Sequence, residues 1–483
     1  IAAGATLSTA GSVNLGNLTL PGGGTLAVNG FSNVIGTVSA TLTSGTARIE
    51  GAIDLGDSGR TWTVAAGGTL EIPGSLTSVG TLRKEGGGTL VLAGDNSSLE
   101  RFGIGSQGST PVDGGTVQVG NANALGFQDV YFNNGTIEAT TPLEFANGLS
   151  IGGRANGASR LAGEAMTFSG LIGTFNPNGA IGDVTLIVDN ETTFSGIVEA
   201  TGTPLTVGGT GTLKMAALTT GLTVPVTLAD SVTLQLENFS SMTPPLLTVG
   251  GSATLAGAGT VGSLTVDAGG TLSPGTSPGS ILAGDTTLAA GGNYNFEIAN
   301  AAGTAGFDWD LLDVTGTLTV AATPEEPFAV NLWSLASTNP DSSGDVAGFD
   351  NQTGYAWTFA RATSGIADFA SDKFSVNTAA INGTDGFTND LAGGSFSVAA
   401  SGNDLNVVFT PFVPTPSLDW YGNGVSEGGS GTWSSLGSTW SPDGGSTIGT
   451  WDPQRKAVFG GTAGTVTIDA GGISAATGLE FAA

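Results

Sequence analysis

Histidine and cysteine are both absent from the 483 residues. That excludes disulfides, thiol nucleophiles, imidazole bases, Ser-His-Asp triads and zinc sites. Basic residues are scarce: 12 Lys and Arg stand against 40 Asp and Glu, a net charge of −28. Phosphate backbones and anionic headgroups are therefore repelled, and nucleic acid is not expected as a partner. The acids are scattered instead of gathered in a tail, which reads as a solubilising surface. No apolar run approaches the ~18–20 residues of a membrane helix, so no membrane insertion of this chain is expected. Ile1 does not open a signal peptide with a basic start, so the numbering is expected to begin after a removed export signal. A cysteine-free, acidic, Gly/Thr-rich chain suits an extracellular or cell-surface bacterial protein.

What is abundant is glycine, at 82 residues, while charged residues make up only 11%, against ~25% in ordinary domains. With 39% hydrophobic residues and a mean hydropathy of +0.20, the chain has enough apolar surface to order itself. Apolar residues seldom recur at helical spacing, and Gly interrupts the windows long enough for a helix. The chain reads as all-β.

A short unit recurs. Gly-Gly-Thr-Leu stands at Gly23–Leu26, Gly67–Leu70, Gly87–Leu90 and Gly269–Leu272, with Gly-Gly-Thr-Val at Gly114–Val117 and Gly-Thr-Leu at Gly211–Leu213. Each copy opens an alternating stretch such as Thr89-Leu90-Val91-Leu92, whose period of two sends successive side chains to opposite faces. Spacings of 44, 20 and 27 residues separate Thr25, Thr69, Thr89 and Thr116, so the unit is degenerate. Short strands with tight Gly turns suit a sandwich, a propeller or a parallel β-helix, and the sustained texture favours the solenoid.

Texture divides the chain further. Residues 1–292 read as the β-helix. Residues 293–410 hold many aromatics, among them Tyr294, Trp309, Trp333, Trp357 and Phe409, and read as a β-rich domain or terminal coils with predicted strands at 294–298, 312–320, 328–332, 356–360 and 405–409. Pro411, Pro414 and Pro416 mark a stiff linker over 411–417. Residues 418–483 form a Trp-rich β segment.

The run Leu82-Arg83-Lys84-Glu85-Gly86-Gly87-Gly88-Thr89-Leu90-Val91-Leu92-Ala93-Gly94-Asp95-Asn96, succeeded by Gly114-Gly115-Thr116-Val117-Gln118-Val119-Gly120-Asn121-Ala122-Asn123-Ala124-Leu125-Gly126, resembles the autotransporter-associated β-strand repeat of Gram-negative surface proteins. The stretch Gly269–Ser280 is similar to the segment that closes such repeat regions, and Asp310–Gly316 resembles the family segment lying immediately C-terminal to that closing segment. The resemblance implies a right-handed parallel β-helix exported to the cell surface or beyond, with structural or adhesive roles. Two departures stand out. No succession of ~10-residue lipid-facing strands of a translocator barrel is present. Residues 418–483 look like the opening of a family unit placed at the end, which suggests a slice of a tandem array or a segment donated to a neighbouring copy.

Chemistry-bearing residues are few. Asp308, Asp310 and Asp313 are the densest acidic group and could hold Ca²⁺, or cap turns and solvate a strand edge; no other cofactor is implied. Trp420, Trp433, Trp440 and Trp451 could stack on sugar rings or contact another copy, or fill a core. Arg83-Lys84 and Arg455-Lys456 are the adjacent basic pairs, candidates for contacts between subunits or plain surface pairs. Asn17, Asn96 and Asn238 begin chance-level glycosylation sequons. Forty acids will place some pair at glycosidase distance by accident, so no catalytic residue is assigned. Because an uncapped β-helix leaves unpaired backbone groups at its ends, the expected function is an extracellular, non-enzymatic structural solenoid whose partners are other copies of itself, joined head to tail in a filament or surface layer. The alternative is a cell-surface adhesin or glycan-binding passenger.

Overall fold

A computed structural model describes residues 4–9, 18–20, 24–28, 32–33, 38–40, 45–105, 114–152, 157–175, 183–216, 221–275, 277–338, 341–380, 385–413, 416–473 and 477–482. Asn17, Gly23, Thr276 and Pro414, named above, lie outside them, as does the side chain of Asn238. The chain divides into two compact units, residues 1–390 with 396–410, and residues 391–395 with 411–483.

The larger unit is a parallel β-helix. One face is a 16-stranded sheet running from Thr6–Thr9 to Ile366–Ala367, which at ~4.8 Å per rung extends about 70 Å. A second, 11-stranded face runs from Leu18–Thr19 to Val198–Glu199. A third begins at Leu143–Phe145 and continues through the aromatic region. Among the described residues the only helical turn is the 3-10 segment Ser371–Lys373.

Alternation builds most rungs, as in Thr254–Val261, where every second residue is buried. The Gly-Gly-Thr-Leu copies then stack in register: Thr69, Thr89, Thr116 and Thr136 form one outward column, while Leu70, Leu90, Val117 and Ile137 form the inward column beside it. Each fully buried aliphatic contributes about 1.5–3 kcal/mol. The 44-residue gap between Thr25 and Thr69 contains an unmarked rung, Gly45–Glu50, which pairs with both neighbours. The copies at Gly211–Leu213 and Gly269–Leu272 belong to the third face instead, where Leu213, Leu234, Leu255 and Leu272 stack. The motif thus marks a strand start, not one particular face.

The aromatic region continues this stack. Asn293–Ile298 pairs in parallel with Thr271–Pro274 below it and with Phe328–Thr338 above it. The predicted strand over 312–320 is two strands on different faces, Leu311–Val314 and Leu318–Val320, because the chain turns a corner at Gly316 against Asp285. A ladder of amides on the face opposite the core, Asn331 Nδ2 to Asn295 Oδ1 at 3.1 Å and Asn377 Nδ2 to Asn331 Oδ1 at 3.3 Å, joins three successive coils. The region ends in antiparallel pairing of Tyr355–Ala362 with Asp404–Thr410.

The smaller unit is mixed: Ser438–Ser441 pairs antiparallel with both Ser417–Trp420 and Gly449–Thr450, beside parallel strands. Ser417–Trp420, Lys456–Phe459 and Leu479–Phe481 stack in parallel on one face, and Gly431–Trp433 with Val466–Ile468 on another.

Coils one rung apart leave no space for Cβ atoms at some corners. Gly51, Gly74 and Gly94 occupy one such corner, and a methyl on Gly74 would run into the Gly51 carbonyl, as one on Gly94 would run into that of Gly74. Gly74→Ala should therefore destabilise the rod by about 1–3 kcal/mol, whereas Gly173→Ala, whose Cβ would meet open space, should cost far less. Urea unfolding monitored by circular dichroism checks the difference.

Candidate functional site

The three aspartates do not converge. Asp308 Oδ2 accepts from the Thr304 amide at 2.8 Å and so caps a turn. Asp313 lies half-exposed on Leu311–Val314, level with Leu282 and Arg361 of the adjoining coils. Asp310 is wholly buried, its two oxygens accepting from the amides of Gly279 and Glu297, each at 2.9 Å. Among the described residues no group of three or more acidic side chains could hold a metal ion. Asp310 instead ties together three backbone segments. Burial, reinforced by the Glu297 charge, pushes its carboxyl well above the ordinary value of 3.8.

Because the folded chain holds that proton more tightly than the unfolded chain, the stabilisation from Asp310 is complete below pH ~4 and is lost as pH rises through its folded value. Urea midpoints should fall between pH 4 and pH 7 in the wild type, and fall less in Asp310→Asn. Equal slopes in the two proteins would contradict the assignment.

Trp420, Trp433, Trp440 and Trp451 come together as the core of the smaller unit, with Leu418 and Ala457. Their rings meet edge to face or tilted, with Trp440 centred 5.1, 5.0 and 4.7 Å from Trp420, Trp433 and Trp451. Trp440 is fully buried and the others nearly so. An indole face enclosed this way is not an open platform for a sugar ring. Trp420 Nε1 donates to the Gly429 carbonyl at 2.9 Å, whereas the indole N–H groups of Trp433, Trp440 and Trp451 have no acceptor among the described residues. Such orphans cost about 1–3 kcal/mol each, so this small core has little stability to spare. Trp440→Ala should cost about 3–5 kcal/mol and abolish the near-UV dichroism of the tryptophan cluster; a variant that kept that signal would show that the cluster tolerates the loss.

The basic pairs separate. Arg83 and Lys84 alternate across Leu76–Glu85, which sends Lys84 inward. Lys84 is fully buried and its Nζ donates to the carbonyls of Gly86 and Gly114 at 2.6 and 2.7 Å. The reading of Arg83-Lys84 as a surface pair is corrected here: strand alternation makes the lysine an internal cross-link between coils. Arg455 pairs with Asp452 at 3.4 Å, and Lys456 pairs with Glu480 on the next strand; both are surface pairs, worth about 0–1 kcal/mol. Asn96 is also internal: its Oδ1 accepts from the Leu76 amide at 2.7 Å and its Nδ2 donates to the Ala124 carbonyl at 2.8 Å, spanning three coils. That burial removes it as an acceptor for a glycan.

The remaining candidate site is the pair of stack ends. Leu7 has the inward register of Leu26, its ladder partner, which is wholly buried, yet Leu7 is 47% exposed. In the smaller unit, Ile468 is level with buried Trp433 and Leu479 with buried Ala457, yet they are 55% and 58% exposed, and Phe481 is 78% exposed. Ile468, Leu479 and Phe481, with Trp420, Trp433, Phe459 and Val466, line an apolar cleft of about 530 Å³. Inward-register side chains are thus exposed on the first described rung of the larger unit and, separately, on the last described strands of the smaller unit. The sequence leads one to expect open ends, but not which residues they expose; the signal it holds is the alternation of Val466-Thr467-Ile468 and Leu479-Glu480-Phe481. No protein-family model matches the chain, and no curated protein matches it either.

Proposed function

We propose that this chain is an extracellular, non-enzymatic structural β-solenoid that self-associates head to tail into a filament or surface layer. The observation that carries the proposal is the exposure of core-register side chains at both ends, Leu7 on the first described rung and Ile468, Leu479 and Phe481 on the last. Uncovered apolar rungs with free strand edges are templates for pairing with another chain. A contact between two different surfaces of identical copies propagates as a fibre unless the rotation between copies closes a ring. The cell-surface location is supported by the acidic, cysteine-free composition and by the family resemblance. The adhesin alternative is less favoured, since its four tryptophans pack on one another and are at most 7% exposed.

Electron microscopy and sedimentation across a concentration series test the proposal. Fibres that lengthen with concentration and vanish in Phe481→Asp are the expected result. Phe481 is exposed, so that change leaves folding largely intact. A chain that stays monomeric at every concentration would overturn the proposal.

A further inference from the structure

Strand alternation leaves Arg83 on the outer side of the second face, opposite Lys84. Arg83 is half-buried, its Nε is enclosed without an acceptor, and it pairs with no carboxylate among the described residues. Elsewhere the acids of this chain neutralise its bases: Arg48, Arg160, Lys214, Arg361, Arg455 and Lys456 all form ion pairs. Arg101, on the next rung, is likewise without a carboxylate. Its guanidinium donates to Gln128 Oε1 and, at 3.4 Å, to the Tyr131 hydroxyl, with Cζ 5.1 Å from the centre of that ring.

The ladder register brings these groups together. Thr81 is level with Arg101, and Arg83 with Gly103, so the two arginines are diagonal neighbours on adjacent strands, about 7–8 Å apart at their backbones. Gly103 is in turn level with Tyr131. A Cβ on Gly103 would lie 3.5 Å from Tyr131 Cβ and 3.9 Å from Arg83 Nε, which are ordinary contacts, and its φ is not positive. Neither backbone conformation nor packing demands glycine there; its effect is to let Arg83 lie across the rung toward Tyr131. Two guanidiniums thus flank one tyrosine, and like charges this close repel unless an anion joins them. The acids on these two strands do not supply it: among the described residues Glu85 forms no ion pair, and Glu100 accepts from Gln128 Nε2 at 3.0 Å.

We infer that Arg83, Arg101 and Tyr131 form a binding site for a single sugar carboxylate, a uronic acid residue on an otherwise neutral glycan. Guanidinium forks match a carboxylate in geometry as well as charge. Thr61, level with Arg83, and Thr81, level with Arg101, add outward hydroxyls. Phe127, next to Gln128 and 59% exposed, adds a ring to that of Tyr131. Hydroxyls and rings around paired cations suit a sugar, whereas a protein partner needs a wider apolar centre than Phe127 and Val79 supply. The net charge of −28 disfavours a densely charged polymer, so the carboxylate is an isolated one. The site occupies interior rungs of the second face and is independent of whether copies of the chain associate.

Titration calorimetry of the full chain at low salt tests the inference with three probes: xylotriose bearing one glucuronate branch, plain xylotriose, and acetate. The expected result is saturable binding of the acidic sugar that weakens with added salt, no binding of plain xylotriose, and far weaker binding of acetate. Arg83→Gln should weaken binding of the acidic sugar about tenfold or more. Its circular dichroism and urea midpoint should match the wild type, because Arg83 bonds to no described residue. Equal binding of the acidic and neutral sugars would overturn the inference. So would acetate binding as tightly as the acidic sugar, which would mark a simple anion site. An acidic sugar that binds the wild type and Arg83→Gln alike, or binds neither, would overturn it as well.

Discussion

The parallel backbone ladder between successive coils is the interaction on which everything else in this molecule depends. Each rung donates to and accepts from the rung before and the rung after it, so the backbone is satisfied without helices. Side chains are left only to fill the inside and solvate the outside. Rungs about 4.8 Å apart also dictate the composition. Where the chain turns a corner directly above another corner, as at Gly51, Gly74 and Gly94, the carbonyl below occupies the space a Cβ would need. Glycine accumulates there through crowding as much as through turning.

The same ladder decides which polar groups are allowed inside. Lys84, Asn96 and Asp310 are fully buried, and each is bonded to backbone groups of its own and other segments of the stack. They act as cross-braces between coils. A buried group with a fixed set of backbone partners favours one register over its slipped alternatives, because a shift of one residue would turn every inward side chain outward and strand the brace.

The strand texture is legible in the sequence because it is written in local alternation. Gly-Gly-Thr-Leu and its variants each start a strand, and the all-β solenoid is their consequence. Their assignment to faces is not legible, because the motif at Gly269–Leu272 and the motif at Gly87–Leu90 are locally identical and differ only in what stacks beneath them. A second signal lies beside the first. The triplets Leu205-Thr206-Val207, Leu247-Thr248-Val249, Leu264-Thr265-Val266 and Leu318-Thr319-Val320 all belong to the 16-stranded first face, with Thr206, Thr227, Thr248 and Thr265 in a continuous column. Asp310 and Lys84 mislead for a related reason, whereas Asp308 caps a turn as one of its two readings has it. Charge in a sequence suggests a surface, and only the third dimension shows that Lys84 and Asp310 are bonded to backbone groups inside.

A stack of coils has no inherent reason to stop. In a globular domain the core closes on itself, whereas each coil here presents to the next a surface like the one it received from the coil before, so the free energy of adding a rung is nearly independent of position. The inward-register side chains that remain exposed are Leu7 in the larger unit and Ile468, Leu479 and Phe481 in the smaller one. A rung added by the same chain gains its burial without the ~4–15 kcal/mol of translational and rotational freedom lost when two molecules associate. A rung added by a second copy must overcome that loss with comparable side chains. The tail meets this condition with large residues. Phe481 stacks on Phe459 at 5.3 Å and extends the aromatic core toward the open side, so an incoming aliphatic rung covers several rings at once. The tryptophans of the smaller unit therefore do more than fill a core: Trp420 and Trp433 also form part of the lining of the open cleft.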